Sequence, residues 1–316
     1  MIRSSLYRLT YQWLLNLAAR RDHYGAALCH LVYGLHNHIL RICPPQTTVT
    51  LEVHGIELEF PAGHLLPLYV KQHPQQEVPL FNLARTIYSC RRRGAFLMAD
   101  VGANVGDTAV LTALQVPGHY LCVEGDERYF SLLRRNVSKY NLEERFVLEQ
   151  CFCGESADRE TTLASEVGYG TASVKRLTNG TRNVRCLDDL VCNGGLFKDL
   201  ALLKIDTDGF DYRVLRGAKT CLQYANPIVF FELSPPQLLD QEEEPMSIFS
   251  FLRELGYVYF QLYTHFGELI LHGSLSSQES LRQLINYNLR YRRFHYDIAV
   301  LKTGDSAIFQ SLVIER

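Results

Sequence analysis

The chain has 316 residues, 47% of them hydrophobic and 21% charged, with a formal net charge of −2. Such a chain can bury a large core in one big domain or two, and it lacks the basic excess that marks a nucleic-acid binder. No apolar run approaches the roughly 18 residues of a membrane span, and no signal peptide is visible in an N-terminus that mixes Arg3, Arg8, Arg20 and Arg21 with apolar residues.

Residues 1–42 read as helical: Leu6, Leu9, Trp13, Leu14 and Leu17 recur at helical spacing, as do Leu28, Leu31, Val32 and Leu35. Arginines and histidines decorate the other face. The apolar stripe suits packing on the rest of the chain, on a second subunit of a homo-oligomer, or as a peripheral contact on a membrane surface. Pro44-Pro45 ends the segment. Thr47 to Phe60 alternates around His54-Gly55, the pattern of a β-hairpin, and residues 64–93 read as loop and helix. Arg91-Arg92-Arg93 is the main basic cluster and reads as a solvated helix end. This divides the chain into an N-terminal helical segment (1–45), a hairpin with a linking helix (46–93) and a main domain (94–316).

From residue 94 strands and helices alternate. Strands are expected near 96–101, 119–124, 145–151, 200–206, 227–233, 257–263 and 297–302, and helices near 105–115, 127–140, 211–224 and 246–255. Alternation of this kind makes a mainly parallel sheet covered by helices on both faces. Two insertions interrupt it. Residues 154–183 are polar and Gly-rich, as a lid or substrate loop would be. Residues 273–296 are rich in Tyr, Arg and Asn and read as a solvated helix, or as a sugar- or partner-binding surface. Nine scattered cysteines fit reduced thiols and a cytoplasmic location. Metal binding is not expected: Cys151-Phe152-Cys153 lacks a second pair, and no carboxylate spacing selects a cation.

The stretch Asp100-Val101-Gly102-Ala103-Asn104-Val105-Gly106-Asp107 carries the most information. It links an apolar strand to a helix, and the next strand ends at Glu124. Glycines let backbone approach a bulky ligand, and a carboxylate about 20 residues after the turn can grip two ribose hydroxyls. The dinucleotide spacing G-x-G-x-x-G is not met, and no Lys follows as in a phosphate-binding loop. The pattern D-x-G-x-N-x-G instead resembles the first motif of class I S-adenosylmethionine methyltransferases.

A second stretch, Lys204-Ile205-Asp206-Thr207-Asp208-Gly209-Phe210-Asp211 followed by Val214-Leu215-Arg216-Gly217, resembles the hallmark of the FkbM family within that class. Val184-Arg185-Cys186-Leu187-Asp188-Asp189-Leu190 and Ile228-Val229-Phe230-Phe231-Glu232 fit the same family, and the resemblance covers about residues 94–304. It implies an α/β Rossmann-like fold with a seven-stranded sheet in the order 3-2-1-4-5-7-6, the seventh strand antiparallel, behind the N-terminal helical and hairpin extension. It also implies S-adenosylmethionine as cofactor and O-methylation of a hydroxyl on a sugar, glycan or polyketide-like small molecule.

On that resemblance Asp100, Gly102, Asn104 and Gly106 form the cofactor's bed and Glu124 holds the ribose diol. The segment at Cys151 and Phe152 is expected to meet the adenine. Asp206, Asp208 and His265 are candidates for the base that takes the hydroxyl proton. Asp208 could equally cap the next helix, and Asp211 reads as helix surface. Lys204 lies on the same face as Asp206 and is expected to pair with one of these acids. Glu232, a lone acid ending a buried strand, is the candidate for acceptor binding. Two rival readings remain: a non-catalytic methyltransferase-like binding module, and a nicotinamide-dependent oxidoreductase.

Overall fold

The structure is a computed structural model that describes residues 47–91, 95–156, 184–192, 195–291 and 295–314, and the backbone of 162–167 and 172–177. The expected helices of residues 1–42, the Gly168–Thr171 stretch and Arg92, Arg93, Arg292 and Arg293 lie outside the described residues. No helix among the described residues is long and apolar enough to cross a membrane.

The first unit comprises the chain up to Gln76 together with residues 166–173. Strands β1 (Thr48–Val53) and β2 (Ile56–Pro61) pair antiparallel, with Val53 opposite Ile56 across the His54-Gly55 turn. Both turn residues have positive φ, 48° and 82°, as a two-residue hairpin requires. Val49, Leu51, Val53, Leu58 and Phe60 are buried, and α1 (Leu66–Gln72) packs on β1.

The second unit starts at Glu77 with α2 (Val78–Cys90). There follow β3 (Phe96–Val101), α3 (Asp107–Gln115), β4 (Gly118–Val123), α4 (Glu127–Lys139), β5 (Phe146–Glu149) and the short β6 (Phe152–Cys153). Strands β7 (Thr162–Val167) and β8 (Ala172–Leu177) form a separate two-stranded sheet in what the composition presents as an irregular loop. Next come β9 (Val184–Arg185), α5 (Leu187–Val191), β10 (Leu202–Ile205), α6 (Asp211–Arg216), α7 (Lys219–Tyr224) and β11 (Ile228–Leu233). The chain then runs through α8 (Pro235–Asp240), α9 (Ser247–Glu254), β12 (Tyr257–Thr264), β13 (Leu269–Ser274), α10 (Glu279–Tyr291), β14 (Tyr296–Lys302) and α11 (Ser306–Ile314).

The central sheet has the order β13-β12-β14-β11-β10-β3-β4-β5. Strands β5, β4, β3, β10 and β11 run parallel, and β14 inserts antiparallel between β11 and β12. The seven expected strands therefore lie in the expected order. An eighth, β13, extends the edge through a tight turn at Gly267 (φ 87°). None of its residues is fully buried, so its sequence carries no strong strand pattern. Every residue of β3 and β10 is buried, as expected for parallel strands covered on both faces.

The helix expected over 211–224 is two helices broken at Gly217. A Cβ there would lie 2.0 Å from the Gly154 carbonyl oxygen, so the chain makes a close backbone approach that only glycine permits. Asp188 sits across the break. Its carboxylate accepts from Thr220 N and Cys221 N, both at 2.8 Å, and so caps α7 from another element. Two of the motif residues thus build the scaffold. Arg91, read as part of a solvated cluster, instead pairs with Asp305 at 2.8 Å.

Candidate active site

Strands β3, β4, β10 and β11 all end on one edge of the sheet, and the turn after β3 sits at the point where strand order reverses, where open α/β sheets bind ligands. Gly102 N and Ala103 N donate to Val123 O at 2.9 and 3.0 Å, and Gly106 N closes the turn on Ala103 O at 2.7 Å. Gly102, Asn104 and Gly106 have φ of 82°, 51° and 82°. A Cβ on Gly102 would lie 1.8 Å from the Asp206 carbonyl oxygen, and one on Gly106 would meet Leu133 at 2.4 Å. The turn therefore presents bare backbone, wedged between β4 and the end of β10.

Glu124 is joined directly to that turn. Its Oε2 accepts from Asn104 N at 2.9 Å and its Oε1 from Asp126 N at 2.7 Å. Burial pushes its pKa up to about 7, against the pull of those two N–H groups. Asp126 in turn caps α4, accepting from Arg128 N and Tyr129 N. A Cβ on Gly125 would strike the Phe152 ring at 2.5 Å, so that ring lies flat against the residue after Glu124. Phe152 packs with Val184 and Phe210, whereas the Cys151 side chain joins the main core and its sulfur accepts a hydrogen bond from the Cys153 thiol. Cys151 has only its backbone to offer a ligand.

Beneath the turn lies a buried ion pair. Lys204 Nζ is 3.0 Å from Asp100 Oδ1 and 3.5 Å from Asp206 Oδ2. Asp100 is 1% exposed, and its Oδ2 is buried with no hydrogen-bond partner among the described residues. Burial raises the Asp100 pKa in spite of Lys204. Asp206 is half open to solvent. Burial of its surroundings works to raise it, but Lys204, a hydrogen bond from Glu232 and the nearby His295 together hold it below the usual carboxylate range.

The other acids carry raised pKa values, burial being the largest cause in each case. Asp208 reaches about 8, with Asp206, Asp211 and Glu124 adding repulsion. It adopts a left-handed φ of 52° and does not cap α6, whose preceding residue is Phe210. Asp211 is no surface residue: it is buried and accepts from Thr207 N at 3.2 Å and Gly209 N at 3.1 Å, which folds the turn after β10. Glu232 is raised well above its ordinary range by burial and by Asp206.

Four groups without an expected role also reach this edge. Glu77, just before α2, is pushed up to about 7 and Asp107, the first residue of α3, to about 6. Asp297 faces Glu232 across the β11–β14 ladder and is raised well above its usual range. The His295 ring centroid lies 4.5 Å from that of His265, the candidate just after β12, with the planes tilted by 46°. Asp297 had a sequence signal, a lone acid in the apolar run Tyr296–Leu301. His295 had none.

The strand order and the glycine turn at its switch point define the class I methyltransferase fold. The family model described as "Methyltransferase FkbM domain" matches residues 100–259, and the chain belongs to that family. It is a methyltransferase by family and fold, in a class that generally uses S-adenosylmethionine. No curated protein matches the chain.

Solved structures resemble it at low identity. The FkbM methyltransferase of Methylobacillus flagellatus KT is 18% identical with a TM-score of 0.36, over 62% of this chain and 49% of that one. The match thus spans about half the length of that protein. The precorrin-6y C5,15-methyltransferase of Geobacter metallireducens GS-15 is 14% identical (TM-score 0.37; 70% and 87% covered). A human methyltransferase 10 domain containing protein is 11% identical (TM-score 0.41; 79% and 89% covered).

Proposed function

We propose that the chain is an S-adenosylmethionine-dependent O-methyltransferase acting on a hydroxyl of a sugar, glycan or polyketide-like small molecule. One observation carries the cofactor assignment: the glycine turn and Glu124 are joined by the Asn104–Glu124 hydrogen bond at the switch point of the sheet. The donor set fits the cofactor. Lys204 is the cation paired into a group of raised-pKa acids, an environment that favours a ligand bearing a sulfonium and an ammonium. Asp100 Oδ2 is a buried acceptor still short of a donor, and the ammonium is the natural one. Glu124 would hold the ribose, Gly102, Asn104 and Gly106 would floor the site, and Phe152 with the Cys151 backbone would meet the adenine.

Bound S-adenosylmethionine supplies a methyl group already activated by the sulfonium. The protein's task is then alignment, exclusion of water and removal of the acceptor's proton. Asp206 and Asp208 stand just beyond β10, and Glu232 and His265 would face the acceptor. Hydroxyl rather than amine chemistry is supported by the absence of an Asn-Pro-Pro-Tyr-type motif from the sequence. The missing third glycine weighs against the oxidoreductase reading, and the intact turn with Glu124 weighs against a non-catalytic module.

The test is transfer of a tritiated methyl group from S-adenosylmethionine to a panel of methyl hexopyranosides, an RNA pool and amine acceptors. Alkali-stable label on a hexoside is the expected outcome. Label confined to RNA or amines would overturn the acceptor assignment.

A further inference from the structure

The edge of the sheet beyond β11 carries two histidines brought together by the ladder itself. Tyr296, the first residue of β14, pairs with both Leu233 of β11 and Thr264 of β12. His295 and His265 are therefore the next residues beyond these pairings, at the same end of the sheet where β10 and β11 deliver Asp206 and Glu232. Their ring centroids are 4.5 Å apart with the planes tilted by 46°, and His265 also packs against Phe266 at 3.6 Å.

We infer that His295, oriented by ring contact with His265 and facing the carboxylate of Asp206, takes the proton of the acceptor hydroxyl. The inference rests on the methyltransferase reading and names a catalytic residue within it. The acceptor oxygen forms its bond to the methyl carbon, and the carbon–sulfur bond breaks with its electron pair left on sulfur. The hydroxyl proton passes to the imidazole, which later releases it to solvent.

The charges around the two rings favour this assignment over the carboxylates. Asp206 is held ionised by Lys204 and is a weak base for that reason. Burial and neighbouring like charge raise the pKa of Asp208, to about 8, and of Glu232 and Asp297, so near neutrality these groups already carry a proton and cannot take another. His295 is opposite in character. Its side chain is open to solvent at the rim; partial desolvation lowers its pKa toward the neutral imidazole, while the Asp206 charge works the other way and stabilises the imidazolium that proton transfer creates. That division of labour, a base held by a neighbouring carboxylate, is a general device of proton-transfer sites.

The test has two readouts. First, imidazole carbon–proton NMR on 13C-histidine-labelled protein, with His295→Gln for assignment, gives the His295 pKa without any acceptor. It should lie below the free value of about 6.5. Asp206→Asn should lower it further by about half a unit or more, as loss of a nearby opposite charge does. His265→Gln should shift the His295 resonance and its pKa without removing the titration. A pKa above the free value, or one that Asp206→Asn leaves unmoved, overturns the proposal.

Second, with tritiated donor and whichever methyl hexopyranoside is turned over, His295→Gln should lose about 100-fold or more in kcat. It should also lose the acid limb of the pH profile, with S-adenosylhomocysteine affinity unchanged. Wild-type kcat and pH profile in that variant would overturn the proposal while leaving the methyltransferase reading intact. If the wild-type protein binds no S-adenosylhomocysteine, the underlying reading fails instead. Where no hexoside is methylated, the NMR titration alone decides.

Discussion

Replacing Lys204 by Met should be among the most damaging single changes in the chain. Lys204 is 7% exposed and its ammonium stands 3.0 Å from Asp100, itself 1% exposed. Met keeps the volume but removes the charge, leaving Asp100 buried beside Asp206 with no counterion. Breaking a buried pair from one side typically costs about 3–5 kcal/mol. For a domain of this size each kcal/mol moves the melting temperature by about 2–4 °C, so a drop of roughly 6–20 °C is expected. The loss should grow with pH. Without the ammonium, Asp100 keeps its proton to higher pH, and forcing it off costs about 1.4 kcal/mol per pKa unit. Lys204→Met should thus be hurt more at pH 8 than at pH 5, and adding Asp100→Asn should return most of the stability. Urea unfolding of the single and double variants at both pH values measures this. A loss under about 1 kcal/mol, or one equal at the two pH values, would refute the claim that Lys204 is the buried counterion of Asp100.

The rim makes further predictions. Glu77, Asp107, Glu124, Asp208 and Asp211 have folded-state pKa values of about 7, 6, 7, 8 and 7, all above their ordinary values. The folded state therefore binds more protons than the unfolded one, and ligand-free stability should fall as pH rises from about 4 to 8. Thermal melts across that range check it; stability rising with pH would contradict it. A cationic ligand should release some of those protons, so calorimetry of S-adenosylmethionine in phosphate and Tris buffers should differ by the buffers' ionisation heats. Gly217→Ala should destabilise strongly because its Cβ would lie 2.0 Å from the Gly154 carbonyl, whereas Gly304→Ala, with nothing within 4 Å, should be near neutral. Equal unfolding midpoints for the two would reject the close-approach argument.

The sequence spoke clearly where one local pattern carries a role. The strand-turn-helix at Asp100–Asp107 and the acid at Glu124 were readable because loop, spacing and ligand chemistry coincide within one βαβ unit. The run from Lys204 to Gly217 was legible as a family signature, but its parts have different jobs. Lys204 neutralises the interior, Asp211 folds a turn, and Gly217 permits a backbone contact. Spacing alone cannot separate such roles, since Asp211 at the start of a helix looks like any surface acid until the turn before it closes. His295, Asp297 and Glu77 were missed because they reach the rim from an antiparallel strand and from the turn before α2. Asp297 meets Glu232 more than 60 residues away in the chain, while His295 meets His265 and Glu77 meets Thr108 about 30 away, so no local pattern joins them. The eighth strand escaped because an edge strand with no fully buried residue, its Leu269 and Leu271 only partly covered, leaves a short and weak alternation to read.

The central claim is that the turn at Gly102–Gly106 and Glu124 flank one adenosyl ligand. Titration calorimetry of S-adenosylhomocysteine into wild-type protein and Glu124→Ala, with near-ultraviolet dichroism to verify folding, tests it most directly. The account predicts one site per wild-type chain and an affinity about 100-fold or more weaker in the variant, the loss expected for charge-assisted hydrogen bonds to a diol. Affinities within about threefold of each other, or no binding by folded wild-type protein, would contradict it.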